Sequence, residues 1–215
     1  MKKYLAYSVG EIALVTIGIL LAIQANNFNE SQKEKRSINE IYARISSDID
    51  RNIQSAEEFL ANYKEMEYLY EKVLNDSIHP DHLGQGLPFL ITGLIKYEYD
   101  QTGVTQLKNK SLSSPSALEL IKIYESAQIN FLAYTEAIEQ NVQDNLTNWR
   151  DQYPWFQAYV NNQLTDEAVN YFLNNQDYKN RVAYFYLAVY GGYIPSVEEF
   201  IVALENWKAG YAHQG

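Results

Sequence analysis

The chain has no cysteine, which excludes a disulfide framework, a thiolate nucleophile and any Cys-ligated zinc or iron–sulfur centre. Histidine is scarce: three residues in 215 leave little for metal ligation or acid–base chemistry. Positive charge is short as well, with 17 Lys+Arg against 27 Asp+Glu and a net charge of −10. The longest basic cluster is Lys33-Glu34-Lys35-Arg36, so the electrostatic footprint of a nucleic-acid binder is missing and no nucleic-acid partner is expected. Proline and glycine number only five and ten, and none falls between residues 19 and 79. What remains is 47% hydrophobic and 20% charged, enough apolar material for a packed core.

Residues 4–23, YLAYSVGEIALVTIGILLAI, are apolar except for Ser8, Gly10, Glu11, Thr16 and Gly18. As a helix this run spans about 30 Å, the thickness of a bilayer's hydrocarbon core. A signal peptide would need small residues at −3 and −1, yet cuts after Ala22 or Ala25 place Leu20 or Ile23 at −3. The reading is a retained transmembrane helix over 4–25, with residues 1–3 as a cytoplasmic tail and 26–215 as a periplasmic domain. Lys2 and Lys3 favour an inside N-terminus, and Lys33, Lys35 and Arg36 pull weakly the other way. Residues 31–215 carry all ten net negative charges, and large acidic segments translocate regardless of flanking charge. The expected location is therefore the inner membrane, single-pass, N-terminus in the cytoplasm.

Glu11 falls inside this span, where a carboxylate is costly and marks a site by default. Tyr7, Glu11, Gly18, Ala22 and Ala25 share one helical stripe. Small residues admit a neighbouring helix, so Glu11, Gly18 and Ala22 form the expected association face, toward a second copy or another membrane protein. The competing reading is a protonated or snorkelling Glu11 with no partner helix.

The segment Gly10-Glu11-Ile12, Leu14-Val15, Ile17-Gly18-Ile19-Leu20, Ala22, Gln24, Asn26-Asn27 and Asn29-Glu30 resembles the opening signature of a family of single-span membrane proteins from Bacteroidota, known only as a domain of unknown function. Ala25 stands where the family has a larger aliphatic residue, and Phe28 where it has Trp. Thr102 to Leu120 resembles the family's mid-chain segment through Leu107-Lys108 and Asn109-Lys110-Ser111-Leu112, without the usual Ser-Gly pair. Tyr178 to Trp207 resembles its closing helices. The resemblance implies a location and an architecture, and no activity. It also implies a periplasm in which proteins are O-glycosylated at Asp-Ser/Thr-aliphatic sites, which makes Ser77 in Asp76-Ser77-Ile78 a candidate acceptor; a plain helix-ending turn is the alternative.

Beyond Glu30, apolar residues Ile38, Ile41, Ile45, Ile49, Ile53, Ala56, Leu60, Tyr63, Met66, Tyr70 and Val73 recur at steps of three or four. They predict one long amphipathic helix continuous with the membrane span and closed by Asp76 to Gly86. Leu87 to Ile95 is short and apolar, and Asp100 to Gly103 reads as a turn. Pro115-Ser116 opens a second long helix striped by Leu120, Tyr124, Ala127, Phe131, Tyr134, Ile138, Val142 and Trp149, ended by Pro154. Thr165 caps a short helix, and Tyr178–Tyr190 and Ser196–Trp207 read as two helices around Gly191-Gly192-Tyr193-Ile194-Pro195. No strand alternation is sustained, so the fold class is all-α: a transmembrane helix continuing into a long helix, then an antiparallel helical bundle.

Chemistry has few footholds. His79-Pro80-Asp81-His82 brings two histidines and a carboxylate together, but in a proline loop rather than on one helix face, so no metal site is expected. No G-x-S-x-G, H-E-x-x-H, Walker or G-x-G-x-x-G motif occurs, and adjacent acidic pairs such as Glu57-Glu58 and Glu198-Glu199 point to different sides of a helix. Neither catalytic residues nor a cofactor are expected. Nineteen tyrosines are the outlying count, and Tyr178, Tyr184, Tyr186, Tyr190 and Tyr193 crowd one stretch. They read either as core rings with hydroxyls at the wet rim or as a partner-binding aromatic surface. The functional expectation is a non-enzymatic scaffold or interaction protein; the alternative is a periplasmic ligand-sensing module that signals through a partner membrane protein.

Overall fold

The computed structural model describes the backbone of residues 2–110 and 114–212 and the side chains of 14–110 and 114–211. Among the described residues every regular element is helical and no strand occurs, so the chain is all-α. Helix α1 runs Lys2–Leu74 unbroken. The absence of Gly and Pro from residues 19–79 is the local reason, since nothing there removes an amide donor or loosens the backbone. The turn after it holds Asp76 at φ 56°, in the left-handed region.

The chain divides into two compact units, Met1–Ser46 and Ser47–Gly215. In the first, every described side chain from Leu14 to Ser31 is exposed, whereas Ile41 and Ile45 are buried. The second unit holds the rest of α1 and all later elements. Two short 3₁₀ turns follow, Pro80–Gln85 and Leu87–Ile91, separated by Gly86 at φ 108°, a conformation that a side chain would strain. Residues 92–101 then run without helix or strand. Helix α2, Thr102–Asn109, occupies the stretch whose start the sequence assigns to a turn. Helix α3, Pro115–Gln152, starts as expected: Pro115 sits in its first turn, and the Ser114 side chain accepts the N–H of Ala117 at 3.2 Å. Helices α4, Phe156–Val160, and α5, Asp166–Asn174, come next, α5 capped by Thr165 at 3.3 Å from the Ala168 nitrogen.

The two closing helices are a correction. Helix α6, Gln176–Ala188, passes through a π turn at Val189–Tyr193 directly into α7, Ile194–Ala212. Pro195 does not break the rod, because the widened turn shifts the backbone register where the ring would meet the preceding carbonyl and where no N–H is available. Helix α7 packs mainly against α3. Gln176–Tyr211 is also the one helical stretch among the described residues that is long and apolar enough by composition to cross a membrane. Its residues Tyr178, Val182, Phe185, Tyr193, Val197, Phe200 and Leu204 are all buried within the protein.

The stripes hold in outline and drift in detail. On α1, Ile49, Ala56, Tyr63, Tyr70 and Val73 are buried, but Ile53, Leu60 and Met66 are only half-buried. Phe59, Asp48 and Asn52 take inward positions. On α3, Tyr134 and Val142 are half-buried while Asn145 is inside.

Candidate functional site

Asp48, Asn52 and Asn145, the polar residues buried on these stripes, all serve the segment after Gly86, which has few backbone partners of its own. Asn52 accepts the Asp100 N–H at 2.7 Å through Oδ1 and donates from Nδ2 to the Asp100 carbonyl at 2.9 Å, as a neighbouring strand would. Tyr63 does the same for Ile95, its hydroxyl donating to the carbonyl at 3.0 Å and accepting the N–H at 3.1 Å. Tyr193 accepts the Tyr97 N–H, and Ser55 donates to the Glu98 carbonyl, both at 2.8 Å. Tyr178, Tyr70 and Asn145 donate to the carbonyls of Leu87, Leu90 and Ile91, each at 2.7 Å. A buried backbone group left unpaired costs about 1–3 kcal/mol, so a segment lacking its own ladder can lie inside only if side chains complete it.

Two carboxylates start α2. Asp48, almost fully buried, accepts the Gly103 N–H at 2.7 Å, and Asp100 accepts the Thr102 N–H at 2.9 Å. The Arg51 guanidinium bonds to both, at 2.8 Å to Asp100. Hydrogen bonds from Thr102, with Arg51 beside it, hold the Asp100 carboxyl down at about 2.

Tyrosine supplies much of this pairing, and two of the crowded group follow the core reading. Tyr178 and Tyr193 are wholly inside, with hydroxyls on backbone rather than at a wet rim; Tyr184 alone of the crowded group is half exposed. Their rings join two clusters. One holds Phe59, Tyr63, Tyr97, Phe131, Tyr193 and Phe200; the other holds Trp149, Trp155, Tyr171, Phe172 and Tyr178. Burial pushes the Tyr63 phenol up to about 12 and raises Tyr70, Tyr97, Tyr124, Tyr171 and Tyr178 as well. These phenols are held in the protonated form, the reverse of activated nucleophiles.

Of the residues singled out from sequence, Gly18 and Ala22 are exposed on α1, and a Cβ built on Gly18 meets nothing within 4 Å. Glu11 lies in the same helix, and its side chain is outside the described residues. Ser77 is exposed at the turn after α1, its hydroxyl donating to the Lys72 carbonyl at 3.3 Å. His79 and Asp81 sit 3.0 Å apart in the next turn, while His82 is buried. Among the described residues no group of three His, Asp or Glu side chains is placed to hold a metal ion.

Sequence reasoning passed over Asp48, Asn52 and Asn145. The signal was present, since each occupies a stripe position: Asp48 between Ile45 and Ile49, Asn52 four before Ala56, Asn145 four before Trp149. A polar residue at a core position demands a partner, which only the folded chain names.

One open groove of about 300 Å³ runs between α3 and α7, floored by Ala127, Ser196 and Phe200 and rimmed by Glu119, Lys122 and Glu199. Its rim carries both signs of charge over a largely apolar floor. No protein-family model, curated protein or solved structure matches this chain.

Proposed function

We propose that this is a single-span inner-membrane protein whose residues 4–25 cross the bilayer and whose residues 26–215 form a periplasmic antiparallel helical bundle acting as a non-enzymatic scaffold. One observation carries the reading. Leu14, Val15, Ile17, Ile19, Leu20, Leu21 and Ile23 are each 51% to 72% exposed on one uninterrupted helix. Burying seven such side chains is worth on the order of 10 kcal/mol, which water withholds and lipid supplies. The apolar stretch Gln176–Tyr211 differs, because one face of it, with Tyr178, Val182, Phe185, Tyr193, Val197, Phe200 and Leu204, is already covered by protein, while Tyr184, Leu187 and Val202 stay exposed. This difference in burial supports residues 4–25, rather than Gln176–Tyr211, as the span.

The resemblance to the Bacteroidota family supports the same location, and the acidic balance of residues 31–215 supports an inside N-terminus. Within the membrane, Glu11, Gly18 and Ala22 form the face toward a second copy or another membrane protein. The protein should stay in the membrane pellet after carbonate washing, and protease added to spheroplasts should cleave the region 31–215. Recovery of a soluble periplasmic form beginning near Asn26 sinks the anchor. The α3–α7 groove favours one second reading, a ligand-sensing module; a small polar molecule retained by the purified protein supports it, and a co-purifying membrane protein supports the scaffold.

A further inference from the structure

We propose that His82 is a proton-operated latch: protonation of its imidazole releases the 3₁₀ turn Pro80–Gln85 that follows α1. His82 is 8% exposed. Its Nδ1 accepts the backbone N–H of His79 at 2.9 Å, and its Nε2 lies 3.4 Å from the Tyr68 hydroxyl on α1. A backbone N–H can only donate, so Nδ1 holds a lone pair and the ring proton sits on Nε2. The ring stands edge-on to Tyr68, with centroids 5.9 Å apart. A second proton has only Nδ1 to enter, where it would face the His79 N–H donor across that short contact. Opening the turn removes the conflict and hydrates the imidazolium.

The charged surroundings do not compensate such a cation. Near Tyr68, α1 carries Lys64, Glu65, Glu67, Glu71 and Lys72, and the Lys72 ammonium lies 5.0 Å over the Tyr68 ring. Asp81 is 3.0 Å from the other histidine, His79, and both are exposed. Helix α5 packs against the turn, and its charged residues, Asp166 and Glu167, are exposed in its first turn. Leu87–Ile91 has none, and Lys179 of α6 pairs with Asp76. No described carboxylate contact reaches either ring nitrogen of His82. The turn is therefore closed at neutral pH and opens in mild acid, taking the connection around Ser77 with it.

Hydrogen exchange of the full-length protein in detergent micelles tests the latch at pH 7.5 and 5.5, with rates corrected for intrinsic chemistry. Uptake of one proton by an imidazole at each opening predicts about a tenfold loss of protection in residues 79–86 between the two pH values. Amides of α3 should be unaffected. His82→Gln, whose carbonyl oxygen can still accept the His79 N–H, should abolish the pH dependence; His79→Gln should keep it. Equal protection of the wild-type turn at both pH values overturns the proposal, as does an undiminished response in His82→Gln or its loss in His79→Gln. The wild-type His82 Cε1–H resonance gives a reading free of variants. It should titrate together with turn opening, and titration while the turn stays protected also overturns the latch.

Discussion

The hydroxyl of Tyr193, in the π turn between α6 and α7, accepts the backbone N–H of Tyr97 at 2.8 Å, joining residues 96 positions apart. Both rings are buried, so no water stands ready to replace the bond. Tyr193→Phe should therefore cost about 1–3 kcal/mol, the range for stranding a buried donor. Tyr184→Phe, on a half-exposed ring, should stay within about 0.5 kcal/mol. Denaturant unfolding of the two variants decides; equal stability would mean that the hydroxyl bonds are incidental.

Acid should weaken the start of α2. Asp100 titrates at about 2 in the folded protein, below the ordinary 3.8, because Thr102 and Arg51 favour its charged form. A lowered folded value means that the contribution is complete above about 4 and is lost as pH falls toward 2. Asp100→Asn should remove this part of the acid dependence while leaving the neutral-pH unfolding cooperative. Thermal melts between pH 2 and 5 test it.

Alkali should act through the phenols with the opposite sign. Tyr63 rises to about 12 from an ordinary 10, since burial disfavours phenolate. The raised value means stability is intact below about 10 and declines as pH climbs to 12. Phenolate absorbance should accordingly appear in two phases, exposed rings first and the buried set together with loss of helical circular dichroism. A single smooth titration near 10 would contradict the buried network.

The π turn distinguishes its two glycines. A methyl group on Gly192 would run into the Tyr134 ring, whereas on Gly191 it would come 3.2 Å from the end of the exposed Leu187 side chain, which can move aside. Gly192→Ala should destabilise by about 1–3 kcal/mol and Gly191→Ala should be neutral or slightly stabilising. The order of their melting temperatures is the check.

On the proposed membrane reading, Gly18→Leu should weaken helix association at least as much as Glu11→Gln, which can still hydrogen-bond, and Glu11→Leu should be worse than Glu11→Gln. A transmembrane two-hybrid assay ranks them. Parental behaviour of all three leaves α1 an anchor without an association face, since one interhelical hydrogen bond supplies only about 1 kcal/mol and close backbone approach must supply the rest.

The sequence by itself determined the helices whose signals are local. Apolar residues recurring at helical spacing place α1 and α3, and Pro115 and Thr165 mark helix starts, because capping and amphipathic spacing act within a turn or two of the chain. Only tertiary structure decided the rest. Residues 92–101 have no period to read, since their backbone is completed by Asn52, Ser55, Tyr63 and Tyr193 from distant helices. Gly191 to Pro195 reads locally as a break, yet Val189–Tyr193 folds as a π turn that packs against α3 and runs straight into α7. The same division explains His82. Proline and spacing announce a loop, but the burial of one imidazole and the direction of its Nδ1 lone pair arise where that loop folds back on Tyr68.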